Sequence, residues 1–377
     1  MTDLRDINPA ASRTYYPALD GLRGMAILLV LCYHNFNYLQ ISKAGWIGVD
    51  LFFVLSGFLI TGILLREKGS HHFLAHFYTR RILRIFPIYY LSLLAFIFLL
   101  PRLIKYPIDL HFYQQNQQWF WLYLQNWFFI FTRQFNNHFL DHFWSLALEE
   151  QYYLVWPCLI LLIKTPGKII SVLLSVLSLL VVARIIVWLF QFPGLSYISL
   201  YKFSRIDGLC IGSLLACFFS GPCKITKIAD KIRIAFILLS ILVILPGIRI
   251  IFHSRLPYFS CCVYPGIAIL FGLLTHCCLD PEIQNPVSRF FNKAWIKFIG
   301  KISYGLYLVH WPIYQLVAKK TADSFSRPAN HFLGYELLVS MIATAVATIV
   351  AVISYYCIEV HFLKLKRFFI KEEIPIH

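Results

Sequence analysis

Arg23 and His34 stand eleven residues apart in a stretch that opens Asp20-Gly21-Leu22-Arg23-Gly24 and is otherwise largely apolar. Eleven steps of about 100° return to within about 20° of the start, so a helix puts both side chains on one face, about 16 Å apart. Imidazole accepts a proton near neutral pH, and guanidinium holds anions. Ser145, Glu149 and Tyr153 recur at helical spacing on a second segment, and Ser303, Tyr307 and His310 follow one face of a third. Arg81 and Arg84 are three apart, hence neighbours on a helix surface, and their planar forks suit phosphate. A base, a carboxylate, several hydroxyls and an arginine cluster together point to proton-assisted chemistry on a phosphate-bearing substrate. Each also has a plainer reading: His34 as a packed histidine, the arginines as topology signals.

The elements that must hold these groups are membrane helices. Of 377 residues, 59% are hydrophobic and 14% charged, with mean hydropathy +0.67. Soluble domains run nearer about 45–50% apolar and about 25% charged, so lipid must cover much of this surface. The net charge of +16 does not indicate nucleic acid, because the basic residues cluster between apolar runs and no polar domain carries them. Met1–Pro17 shows no apolar core with a cleavage site, so no signal peptide is expected. Nine of the ten cysteines lie in or beside apolar runs without histidines at zinc spacing; they read as packing residues, and no metal site is expected.

A spanning helix needs about 20 apolar residues. Ten segments qualify, at about 23–41, 46–65, 82–101, 143–163, 168–190, 204–222, 233–252, 257–279, 301–319 and 333–358. Residues 119–131 are apolar and aromatic but too short, and read as interfacial or re-entrant. With a cytoplasmic N-terminus this layout places 21 of the 34 Lys and Arg on the cytoplasmic side and 10 outside. Arg23, Arg184 and Arg205 fall within spans or at their lips. The expected fold is an all-α integral membrane bundle of about ten transmembrane helices, both termini cytoplasmic, in the bacterial inner membrane. Residues 1–14 form a polar N-terminus, 15–360 the membrane domain and 361–377 a basic tail. At about 1.5 Å per residue, His34 and His310 fall near the midplane, and Glu149 about 9 Å below the outer end. Intramembrane charges are usually functional. Asp50 reads as a cap or orienting group for span two, and Asp207 beside Arg205 as an ion pair at a helix start. Arg184 and Glu336 remain unassigned. The outer loop at 102–142, with Trp119, Trp121, Trp127 and His142, reads as an aromatic belt or a sugar platform.

Six blocks in order then resemble the acyltransferase-3 family of membrane-bound O-acyltransferases that modify bacterial surface glycans. They are Leu19–Ile27 followed by His34, Gly48–Thr61, Arg81–Pro87, Trp144–Glu149, Arg205–Gly208 and Gly300–Pro312. The resemblance covers about residues 15–360. It implies a ten-helix domain, an acyl-coenzyme A donor (acetyl above all), no permanently bound cofactor, and catalytic importance for Arg23 and His34. Some members append an esterase-like domain, whereas this chain is expected to end in its short tail.

The mechanism expected on this basis makes His34 the base that deprotonates an acceptor hydroxyl, with Glu149 orienting it or stabilising its charged form. Arg81 and Arg84 bind the coenzyme A phosphates, Arg23 sits near the donor's pyrophosphate or the pantetheine entrance, and Tyr307 or Ser303 supports the oxyanion. Asp20, Asp50, Ser145, Arg205, Asp207 and His310 are supporting residues. Direct transfer and a covalent stop on His34 or on a serine or tyrosine both remain open. The partners are lipid, acyl-coenzyme A and a glycan or glycolipid acceptor. Proton-coupled transport of a sugar or lipid intermediate is the alternative function, although transporters often carry repeats and none is visible.

Overall fold

The computed structural model describes residues 16–103, 110–135, 139–163, 165–193, 195–220, 237–238, 240–241, 259–279, 286–324 and 332–369. Throughout these residues the ordered elements are helices. The expected seventh span, 233–252, lies almost entirely outside them.

Helix α1 runs Pro17–Asn35, and a 3-10 turn at Ile41–Trp46 leads into α2, Ile47–Glu67. Helix α3, Phe73–Leu94, continues through a π turn at Ala95–Leu99 to Leu103. Two short helices follow, α4 (Leu110–Trp121) and α5 (Gln125–Thr132), then α6 (Trp144–Leu162) and α7 (Pro166–Phe190). The chain goes on through α8 (Tyr197–Phe203), α9 (Asp207–Ser220), α10 (Tyr264–Leu279) and α11 (Pro286–Phe291). It closes with α12 (Ala294–Ser324), α13 (Phe332–Ser354) and, beyond a π turn at Tyr355–Glu359, α14 (Val360–Phe369).

Among the described residues, five helical stretches are long and apolar enough to cross a membrane: Ile41–Glu67, Phe73–Arg102, Pro166–Phe190, Ser260–Leu279 and Leu333–Lys366. Helices α1, α6 and α12 have comparable length but carry the charged and polar groups singled out above. Helix α7 is the most lipid-like. It buries few of its residues and exposes Leu174, Leu179, Val182, Ile185 and Leu189.

Helix α1 is the hub, and its register differs from the expected span by six residues. Pro17 starts it, since a first-turn residue needs no N–H donor, and Asp20 complements the positive helix end. The apolar count began at Arg23 because it excluded these polar residues, which the bundle interior accommodates. His34 therefore stands in the last turn of α1, not halfway along it. Helix α1 crosses α12 so closely that a Cβ on Gly300 would lie 1.8 Å from the Asp20 carbonyl oxygen, and one on Gly24 2.2 Å from that of Ile296. Small residues permit such backbone approach in membrane bundles.

Two buried ion pairs link helices that are distant in sequence. Arg184 on α7 donates twice to Asp207 on α9, at 3.0 and 2.8 Å, and also to the Ser260 carbonyl at 2.8 Å. Arg205 pairs with Asp50 on α2. The expected pairing of Arg205 with neighbouring Asp207 is thus not made. Each charge instead finds a partner on another helix, as buried charges in a low-dielectric bundle require.

Residues 119–131 do not form a span. Tyr123 takes a left-handed φ of 54° between α4 and α5, and α5, with eight residues, is about 12 Å long.

Candidate active site

Two cavities lie back to back along α1. The first is lined from the second turn of α1 and the middle of α3 and contains three arginines. Arg23, Arg81 and Arg84 line it together with Ser56, Ser145, Glu149, Glu150, Tyr153, Ser303 and Tyr304. Arg23 reaches Asp20 at 3.5 Å. The Arg81 guanidinium lies 5.5 Å from the Tyr153 ring centre and 5.8 Å from that of Phe77. The Glu149 carboxylate accepts from the Ser56 hydroxyl at 2.9 Å. Three guanidinium groups against two carboxylates leave this pocket suited to a polyanion.

The second cavity lies toward the other end of α1 and is lined by His34, His142, Lys43, Lys202 and Arg205 among aromatic side chains. Val49 and Tyr307 line both cavities, so the partition there is about one side chain thick. The Ser145 and Tyr307 hydroxyls are 2.6 Å apart, and Tyr307 donates to the His142 carbonyl at 2.9 Å. Since the phenol spends its proton on that carbonyl, Ser145 donates to the phenol oxygen.

Three imidazoles meet at this partition, and hydrogen bonding fixes their tautomers. His310 Nδ1 lies 2.7 Å from the Tyr307 carbonyl oxygen, which can only accept, so Nδ1 carries the proton. Its Nε2, 3.1 Å from His34 Nδ1, must then accept in the neutral ring. His34 Nδ1 is also 3.1 Å from the Val30 carbonyl and therefore holds a proton. The unprotonated nitrogen of His34 is Nε2, on a ring that lines the second cavity. His142 Nε2 likewise donates to the Tyr307 carbonyl at 3.0 Å. Pro312 lacks the N–H that would bond Leu308 and so loosens this turn of α12.

The structure brings together much of what spacing suggested, in two groups. Arg23, Arg81, Arg84, Glu149, Ser145 and Ser303 share the first cavity, while His34 and Arg205 line the second and His310 stands behind His34. Tyr307 belongs to both. Asp20 pairs with Arg23 across one turn of α1, and Asp50 and Asp207 are the partners of Arg205 and Arg184. The expectation that Glu149 orients His34 is corrected: Glu149 lies one turn beyond Ser145 on α6, beyond the partition, and His310 holds the imidazole. His34 and the arginines likewise occupy adjacent cavities, not one. Sequence reasoning gave no site role to Lys202, Ser56, Glu150 or Tyr304, and named His142 only as part of the aromatic outer loop. His142 was legible in principle, since it stands three residues before Ser145 and so one turn above it.

Over residues 16–357 the chain matches a family model described as an acyltransferase domain. It is 31% identical to the peptidoglycan O-acetyltransferase OatA of Listeria monocytogenes over 330 residues, 81% of this chain and 50% of that protein. It is 30% identical to the O-acetyltransferase OatA of Staphylococcus aureus over 326 residues, covering 82% and 52% respectively. The Bacillus subtilis protein YrhL is 32% identical over 371 residues, covering 92% and 54%. The chain thus spans about half the length of the curated relatives it matches. No solved structure matches it significantly.

Proposed function

We propose, since the chain belongs to the acyltransferase-3 family, that it moves an acetyl group from acetyl-coenzyme A in the arginine-lined cavity to a hydroxyl of a cell-wall polysaccharide in the histidine-lined one. The arginine end would face the cytoplasm across a bacterial inner membrane, as the excess of basic residues there suggests. The observation that carries this reading is the chain from His34 through His310 to the Tyr307 carbonyl, which leaves a basic nitrogen facing one cavity across a thin partition from three arginines.

The residues divide the work as follows. Arg81 and Arg84, with Arg23, bind the donor phosphates by charge-assisted hydrogen bonds. The pantetheine arm brings the thioester carbonyl to Ser145 and Tyr307. His34 Nε2 removes the acceptor's hydroxyl proton as its oxygen attacks the thioester carbon. Ser303 donates to the developing oxyanion, and Ser145 joins it by turning its proton away from the Tyr307 phenol, whose own proton stays on the His142 carbonyl. The carbon–sulfur bond breaks, and the proton on His34 leaves with the coenzyme A thiolate. Glu149 acts among the arginines and keeps Arg23 and Arg81 directed at the donor. Proton-coupled transport finds no support in the family relationship.

The test is thiol release by purified protein in nanodiscs, given acetyl-coenzyme A with and without cell-wall glycan. Thiol release that requires the glycan, with an O-acetyl ester detected on it by mass spectrometry, is the expected result. Failure to bind acetyl-coenzyme A, or binding with no ester formed on any glycan, would overturn the assignment.

A further inference from the structure

The cavity assigned above to the acceptor has a charge pattern that the transfer chemistry does not use. Its walls include the indoles of Trp46, Trp144 and Trp311, flat apolar surfaces on which sugar rings can stack. Its cations are Lys43, Lys202 and Arg205, and its carboxylate is Asp141. Arg205 is committed: it pairs with Asp50 and lies 3.9 Å from the Tyr264 ring centre and 5.0 Å from that of Trp46. Lys43 sits on the exposed 3-10 turn at the rim. Lys202 is different. Helix α8, outside the spanning segments, holds its ammonium 3.6 Å over the centre of the Phe135 ring and 5.4 Å from that of Phe203. An aromatic face stabilises the cation without consuming its hydrogen bonds. Asp141, the carboxylate lining the same cavity, attracts that cation, and an ammonium has three donors to offer.

We propose, resting on the reading of this cavity as the acceptor site, that the acceptor carries an anionic group, a carboxylate or a phosphate, which seats on the Lys202 ammonium and selects charged glycans over neutral ones. Asp141, Arg205 and His34 are the titratable groups that face Lys202 from the elements around it. Burial lowers the Lys202 ammonium to about 8, with Arg205 adding to the shift and Asp141 opposing it. The lysine is cationic below that pH and loses its charge above it, so the preference for anions weakens as pH rises through that value.

The experiment measures binding in nanodiscs through intrinsic tryptophan fluorescence. Three probes are compared: a neutral hexose tetrasaccharide, a hexuronate tetrasaccharide of the same length, and glucose 1-phosphate. One or both anionic probes bind at least about tenfold tighter than the neutral one, the scale of a hydrogen bond to a charged group. The arm that gains identifies carboxylate or phosphate as the natural group. Lys202→Gln abolishes the gain. Lys202→Arg keeps it and removes its decline between pH 7 and 9, because guanidinium stays charged there. Retained acetyl-coenzyme A binding shows that each variant is folded. Equal binding of all three probes to the unaltered protein, or an anion gain that survives Lys202→Gln, overturns the proposal. Lys202-dependent anion binding without any acetyl transfer would instead overturn the functional reading and leave this site standing.

Discussion

At the scale of single residues, the account depends on a histidine whose partner is another histidine. A carboxylate behind His34 would stabilise its cationic form strongly. A neutral imidazole accepting from Nδ1 fixes the tautomer and orientation while adding no charge to a buried site. His310→Phe removes that acceptor and keeps the ring shape. It is predicted to lower kcat about 10- to 100-fold, the cost of about 1–3 kcal/mol for a mispaired polar group, while the KM for acetyl-coenzyme A stays within about twofold. His310→Gln, which supplies an amide oxygen, recovers part of the loss, whereas a purely structural lesion would move both constants and show no such rescue. Spacing puts Arg23 and His34 on one helix, as the structure has them, but it did not show that they line different cavities. It could not show that Glu149 bonds Ser56 or that Arg205 prefers Asp50 to Asp207. Those partnerships depend on which helices pack together, and intrahelical spacing contains no such information.

At the scale of elements, apolar run length located most of the helices, and the shortness of 119–131 correctly marked it as non-spanning. The start of α1 was missed because a hydropathy count begins at Arg23 and excludes Asp20, which pairs with Arg23 at 3.5 Å. Close packing of α1 on α12 sets the height of His34 opposite His310, and Gly300 is where the two backbones approach most closely. Gly300→Leu places new atoms against the Asp20 carbonyl and is predicted to destabilise the protein by about 1–3 kcal/mol or more, the usual cost of overpacking. Gly62→Ala on α2, where a Cβ meets nothing within 4 Å, is predicted to leave stability unchanged or slightly raised. Thermal unfolding of both variants in detergent checks the pair. Equal melting temperatures for the two would show that the α1–α12 crossing is looser than described.

At the scale of the whole molecule, two cavities lined from different ends of α1 would keep the proposed polyanionic donor apart from the proposed glycan acceptor. The partition at Val49, Ser145 and Tyr307 is where they meet. This division was not legible beforehand: the separate sequence blocks give the groups, and only their folding sorts them into two compartments. The most direct test measures acetyl-coenzyme A affinity and the rate of glycan acetylation for His34→Ala and Arg84→Gln in the same nanodisc preparation. His34→Ala is predicted to keep donor affinity within about twofold while kcat falls about 10²- to 10⁴-fold, the loss of a general base. Arg84→Gln is predicted to weaken donor binding about tenfold, with kcat at saturation nearly unchanged. Full transfer by His34→Ala, or an equal loss of donor affinity in both variants, would contradict a base and a donor site in separate cavities.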